Sequence, residues 1–152
     1  MKCIVTLFIQ GLVAASIAAA QDMPSELAAL TAKARLSRPV TWCRAEFRSG
    51  HAGAFAMAVA SADGGGRYVA LDSDGSITEL GAFKRSADLS CYSRAQAEKL
   101  DASIRQSGTI HGQIRPRWNT TVVCGFIDDT AATCWQYSPA DRAFVKIGQW
   151  IT

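Results

Sequence analysis

The chain has 152 residues, of which 49% are hydrophobic and 19% charged, with a formal net charge of +3 at neutral pH. That length is one domain's worth and can bury a sizeable core. The charge is small and dispersed, which argues against nucleic acid as a partner.

The first twenty residues differ from the rest. Lys2 precedes an almost entirely apolar or small run from Cys3 to Ala19, broken only by Thr6, Gln10, Gly11 and Ser16, and Ala18-Ala19-Ala20 supplies an A-x-A site. Residues 1–20 are therefore expected to form a cleaved signal peptide, with residues 21–152 as one β-rich extracytoplasmic domain. An uncleaved anchor is the alternative, and the shortness of the run and its small-residue end argue against it. A lipoprotein would need a cysteine at the end of the run, and Cys3 stands at its start. Loss of Lys2 and Cys3 leaves 15 basic and 13 acidic side chains and four cysteines, Cys43, Cys91, Cys124 and Cys134. An even cysteine set in an exported chain points to two disulfides and a periplasmic or secreted location. No apolar run long enough to span a membrane remains after cleavage.

Pro24 to Leu36 is predicted as a short helix, with Pro24 suited to its first position and Leu27, Leu30 and Ala34 on one side. Arg38-Pro39 ends it, because a residue before proline is pushed out of the helical region. Short segments with turn punctuation then predict antiparallel strands at Val40 to Arg48, Phe55 to Ser61, Arg67 to Asp72 and Ile77 to Phe83. Ser93 to Ser107 is a second helix. Ser93 and Gln96 have capping-box spacing, Ala97, Leu100 and Ile104 form a stripe, and Gly108 is the stop. A second set of strands is expected at Thr109 to Arg115, Thr121 to Ile127, Ala132 to Tyr137 and Phe144 to Trp150.

The two sets resemble one another. Ile77 to Phe83 (ITELGAF) and Phe144 to Trp150 (FVKIGQW) carry Gly81 and Gly148 at the same place. Residues 22–91 and 92–152 are thus candidate pseudo-repeats of a helix and a four-stranded meander. The competing explanation is that any two meanders resemble each other through their alternation.

A turn centred on Asp129 would set Cys124 and Cys134 directly opposite across a hairpin, where two side chains can be bridged. Four cysteines permit three connectivities, and this geometry favours Cys124–Cys134 with Cys43–Cys91. Cys124 to Trp135 (CGFIDDTAATCW) resembles the core hairpin of regulator-of-chromosome-condensation repeats, which carry an Asp-Asp-Gly turn between such cysteines and return through Cys-Trp-Gly. Tyr68 to Gly81 (YVALDSDGSITELG) is similar to a second copy without cysteines. Thr130 and Gln136 stand where those repeats have glycine. A seven-bladed propeller cannot fit in this chain, so the resemblance implies β-hairpins and no activity.

Catalytic constellations are sparse. Paired cysteines leave no thiol nucleophile. His51 and His111 have no metal-ligand spacing, there is no G-x-S-x-G elbow, and Gly64-Gly65-Gly66 reads as a turn. Asp72 to Ile77 superficially resembles part of a calcium loop, but Ala70 and Gly81 occupy the positions of its first carboxylate and its bidentate glutamate. Asp128-Asp129, adjacent on a turn, is poorly placed as a catalytic pair. No cofactor and no metal are expected. Asn119-Thr120-Thr121 is a glycosylation sequon, which matters only in a eukaryotic host.

Aromatic and arginine residues crowd the second half. Trp118, Trp135, Tyr137, Phe144 and Trp150 accompany Arg115, Arg117 and Arg142, and these residue types dominate protein interfaces. Arg115, Arg117, Trp118, Trp135, Tyr137 and Trp150 are the candidate binding residues, against the alternative that the aromatics fill a core. The expected fold is α+β, two helices each preceding a four-stranded antiparallel meander, stapled by two disulfides. In outline this is similar to secreted β-lactamase inhibitor proteins, an analogy of architecture only. The expected role is a binding protein with a protein partner, in the manner of an inhibitor or immunity protein. A small envelope hydrolase and a ligand-carrying or structural module are the alternatives.

Overall fold

The computed structural model describes residues 22–85 and 87–152. The signal peptide expected over residues 1–20 lies outside them. The elements run α1 (Ser25–Lys33), β1 (Thr41–Ala45), β2 (Ala54–Ala60), β3 (Gly66–Leu71), β4 (Ile77–Phe83), β5 (Leu89–Tyr92), α2 (Arg94–Gln106), β6 (His111–Ile114), β7 (Val122–Phe126), β8 (Ala131–Ser138) and β9 (Ala143–Ile151). The class is α+β, with two antiparallel sheets, two helices and disulfides Cys43–Cys91 and Cys124–Cys134.

Strand β2 explains the layering. Its sequence, AFAMAVA, alternates large and small residues, and six of its seven residues are buried. Phe55, Met57 and Val59 pack with Val69, Leu71 and Leu27 on the α1 side. Ala54, Ala56 and Ala58 face the other way, into a layer shared with Tyr68, Phe83, Val123 and Trp135. A sheet buried on both faces needs cover on both. Sheet β1-β2-β3-β4 therefore lies between α1 and the second sheet. That sheet buries Val122, Cys124, Ala132, Cys134, Ile147 and Trp150 against Ala97 and Ile104 of α2. The order is helix, sheet, sheet, helix, with alanines on one inner face accommodating aromatic rings from the other.

Helix α1 begins after Pro24, which occupies the cap one place before the expected position. It also stops earlier than the sequence predicts. Arg35 takes a left-handed φ of 54°, Arg35 N donates to Ala32 O and Leu36 N donates to Thr31 O. That is a Schellman closure, made here without glycine. Helix α2 has the expected capping box, with Gln96 N donating to Ser93 Oγ and Ser93 N donating to Gln96 Oε1.

The second sheet has five strands in the order β5-β7-β8-β9-β6 rather than forming a four-stranded meander. Strand β5, which the sequence reading did not foresee, pairs with β7. Strand β6 pairs with β9 at the opposite edge instead of with β7. The helix sets this placement: Ile114 N donates to the buried Asp101 Oδ1 of α2 at 2.7 Å, and Arg115 N donates to Ile147 O. The first sheet is the simple meander expected.

Gly81 and Gly148 do share a local structure. Register shifts leave Leu80 and Ile147 as bulged residues immediately before each glycine. Leu80 packs towards the inter-sheet layer, however, and Ile147 towards α2. The likeness in sequence thus corresponds to bulges aimed at different layers.

Cys124 and Cys134 are register partners in β7 and β8, with Cα atoms 4.1 Å apart. Their turn is organised by Asp128 Oδ1, which accepts from Thr130 N, Thr130 Oγ1 and Ala131 N. These bonds hold the Asp128 carboxyl below the usual carboxylate range. Cys43–Cys91 instead joins β1 to β5, one sheet to the other.

Candidate functional site

The sandwich opens at the end where β3 leaves the first sheet and β8 leaves the second. Phe47, just past β1, is 2% exposed and anchors the segment that carries Arg48. Gly50, at φ 79°, turns the chain there, with Gly50 N donating to Glu46 Oε1 and His51 N donating to Arg48 O. Arg48 Nη2 lies 3.3 Å from Asp72 Oδ2, and its guanidinium stacks 4.9 Å from the centre of the Tyr137 ring. Ser73 N and Oγ donate to the other Asp72 oxygen. The Arg48 head is thus held from two sides, by a carboxylate and by an aromatic face.

Across the opening stands Arg142, in the β8–β9 turn. Ser138 Oγ donates to Asp141 Oδ2 at 2.6 Å, and Asp141 N donates back to Ser138 Oγ. This closed turn presents Arg142 with a left-handed φ of 51°. Among the described residues Arg142 has no ion-pair partner. Between the two arginines lies a cleft of about 160 Å³, whose walls include Ala70, Ser76, Thr78 and Ala143. Its floor is aromatic: Phe47 meets Phe144 edge-on at 4.9 Å, and Phe144 meets Tyr137 at 5.4 Å. A wider mouth beside Ser49 and Pro139 leads out from it.

A loop adjoins this end of the molecule. Gln136 and Tyr137 are consecutive in β8, so their side chains point to opposite faces. Tyr137 lines the cleft, while Gln136 is completely buried and holds the 117–120 segment. Its Oε1 accepts from Arg117 N and Trp118 N, and its Nε2 donates to Trp118 O, Thr120 O and Thr120 Oγ1. Two further bonds, Thr121 N to Glu46 O and Glu46 N to Thr121 Oγ1, tie that loop to the segment carrying Arg48.

The six candidate binding residues are consequently divided. Trp135 is 6% exposed and lies between the sheets, and Trp150 is 7% exposed beneath α2 against Phe126. Neither presents a surface, and both answer to the core alternative. Arg115 is exposed at the end of β6, with Nε donating to Gln113 Oε1. Arg117 is exposed, Trp118 is half-buried against the α2 layer, and Tyr137 is half-buried in the cleft. These last three are brought to one end of the sandwich. Sequence reasoning passed over Arg48 and Gln136, and noted Arg142 only as a neighbour of the aromatics. The signal for Gln136 is a lone amide in a strand without a charged residue.

Chemically, the cleft offers cationic hydrogen-bond donors over an aromatic floor. All four cysteines from Cys43 onward are in disulfides. Among the described residues no three of His, Cys, Asp and Glu are grouped as a metal site requires. No helix among them is long and apolar enough to cross a membrane. The two disulfides fit a location outside the cytoplasm. No protein-family model, curated protein or solved structure matches the chain.

Proposed function

We propose that the protein is a periplasmic or secreted binding protein that engages a protein partner, acting as an inhibitor or immunity protein by occlusion. The partner meets the end of the sandwich that carries Arg48, Tyr137, Arg142 and the Arg117–Trp118 loop. The observation that carries this reading is Arg142, which is exposed and has no ion-pair partner among the described residues, across a cleft from Arg48, which is paired with Asp72 and stacked on Tyr137. Arginine, tyrosine and tryptophan are the side chains in which interface energy concentrates. Ordering Arg48 in advance, and pinning the loop through Gln136, lowers the entropy lost when a partner docks. The export signal expected over residues 1–20, together with the disulfides, supports the location. A carrier of apolar ligands is disfavoured, because Tyr68, Phe83 and Trp135 fill the layer between the sheets.

The test is affinity capture from an envelope extract of the source organism with tagged protein. Capture of one stoichiometric protein partner by the wild type and by Arg115→Ala, with loss in Arg142→Ala and Trp118→Ala, supports the reading. Absence of such a partner, or its equal retention by every variant, overturns it.

A further inference from the structure

We infer that the cleft between Arg48 and Arg142 is a carboxylate subsite, receiving an aspartate or glutamate side chain of the protein partner. The inference rests on the binding-protein reading only for the identity of this occupant. Three features of the cleft argue for that chemistry.

The first is charge. The charged groups at its wall are Arg48, Arg142 and Asp72, two cations against one anion. Asp72 already takes one face of Arg48, so one unit of positive charge is left to neutralise. A monoanion satisfies it, whereas a phosphate dianion would set surplus negative charge beside Asp72. Asp74 and Lys33, further out, add one charge of each sign: Lys33 Nζ donates to the Asp74 backbone carbonyl, and the Asp74 carboxylate, bonded to Ser76, lies in the field of both Arg48 and Lys33.

The second is donor geometry. A free guanidinium offers paired N–H groups that match the two oxygens of a carboxylate. Arg142 is the member of the pair with those groups uncommitted. Ser76 and Thr78 line the same wall and carry hydroxyls able to donate to a carboxylate oxygen.

The third is the floor. Phe47, Phe144 and the Tyr137 ring give an apolar surface for the methylenes that carry the carboxylate, and about 160 Å³ admits one side chain. Arg48 is engaged by Asp72 and Tyr137 whereas Arg142 has no ion-pair partner among the described residues, so Arg142 binds the incoming carboxylate while Arg48 covers the Tyr137 ring and adds to the local charge.

The experiment follows the Arg48 and Arg142 Nε–H signals of the isotope-labelled protein by NMR. The probes are a blocked tripeptide Ala-Glu-Ala, its Gln analogue, sodium acetate and inorganic phosphate. The expected result is a saturable shift of the Arg142 signal with the Glu peptide, a weaker one with acetate, and none with the Gln peptide. Arg142→Ala and the milder Arg142→Gln should each weaken the Glu peptide about tenfold or more, the worth of a charged hydrogen-bonded pair. An unchanged spectrum elsewhere shows that both variants fold. Equal response to the Gln peptide, indifference to both Arg142 variants, acetate binding as tightly as the Glu peptide, or tighter binding of phosphate each overturns the subsite. Failure here with a partner still captured from extract leaves the binding reading standing. Success here with no partner captured removes that reading and leaves a carboxylate site.

Discussion

Gly81 of β4 lies flat against the indole of Trp135 in the facing sheet: a methyl group in place of its hydrogen would stand 2.8 Å from Trp135 Cζ2 and 3.3 Å from Cη2. The relation is reciprocated. Gly125 of β7 receives the ring of Tyr68, whose Cε2 would lie 2.6 Å from an added Cβ. Each sheet thus yields one side chain so that the other can insert an aromatic ring. The two insertions are neighbours, with Tyr68 and Trp135 centroids 6.1 Å apart.

Gly81→Ala should therefore lower stability by about 1–3 kcal/mol, the cost of overpacking a core that cannot move aside. The indole is caught between strands, so it has no flexible end to swing away. Urea unfolding followed by tryptophan fluorescence would measure the loss. An unchanged midpoint would mean that the two sheets do not close on each other at this point.

What could be read from the sequence and what could not divides along the range of the interactions. The capping box of Ser93 and Gln96 and the opposition of Cys124 and Cys134 depend on neighbours within about ten residues, and both are as expected. Strand β5 has four residues running straight into the Ser93 cap, too few to show an alternation, and its pairing with β7 is non-local. The placement of β6 beside β9 depends on Asp101, a helix residue, reaching the Ile114 amide. Trp135 and Trp150 look alike in sequence to Trp118, and only the stacking of layers decides which is covered. The cleft was hidden for the same reason. Arg48 follows β1 of the first sheet whereas Tyr137 and Arg142 belong to β8 and the β8–β9 turn of the second, and nothing in the sequence near Arg48 signals Tyr137. The alternation of AFAMAVA was the one local hint that a sheet had two buried faces.

The two disulfides should differ in their effect on stability. In the chain-entropy account the constraint grows with the loop closed, 48 residues for Cys43–Cys91 and 10 for Cys124–Cys134. This corresponds to about 4 and about 3 kcal/mol. Replacing Cys43 and Cys91 together by alanine should lower the unfolding midpoint more than replacing Cys124 and Cys134. The inter-sheet pair also holds β1 against β5, so its loss should loosen the sandwich as well as the unfolded chain. Chemical denaturation of the two double variants under identical conditions tests the order, and the reverse ranking would count against the entropic account.

Gln136 serves a loop on the surface from a position with no exposure of its own. Gln136→Leu preserves most of its bulk but strands the amides of Arg117 and Trp118 and the carbonyls of Trp118 and Thr120. An unsatisfied buried group costs about 1–3 kcal/mol, and the loop can relieve part of that by opening to water. The expected signature is therefore local: faster amide exchange at residues 117 and 118 with strand β7 protected as before. Uniform loss of protection across the sheet would show that Gln136 supports the whole layer instead.

Tyr68 carries the pH dependence. Its ring has no exposed surface, and its hydroxyl lies 3.0 Å from Asp88 O and 2.6 Å from Phe126 O, to which it donates. Burial disfavours the phenolate and pushes the group from 10.0 up to about 12. The folded state holds the proton more tightly than the unfolded chain, so the stability contributed by the neutral phenol is complete below pH 10. It declines as pH rises from 10 towards 12. Tyr68→Phe removes the hydroxyl and with it this titration, at a cost of about 1 kcal/mol at neutral pH for the lost hydrogen bonding. The stabilities of wild type and Tyr68→Phe should thus differ by a constant amount up to about pH 10, converge above it and cross before pH 12. Parallel curves through that range would mean that the phenol ionises as readily in the folded protein as in the unfolded chain, and that water reaches the seam between Asp88 and Phe126.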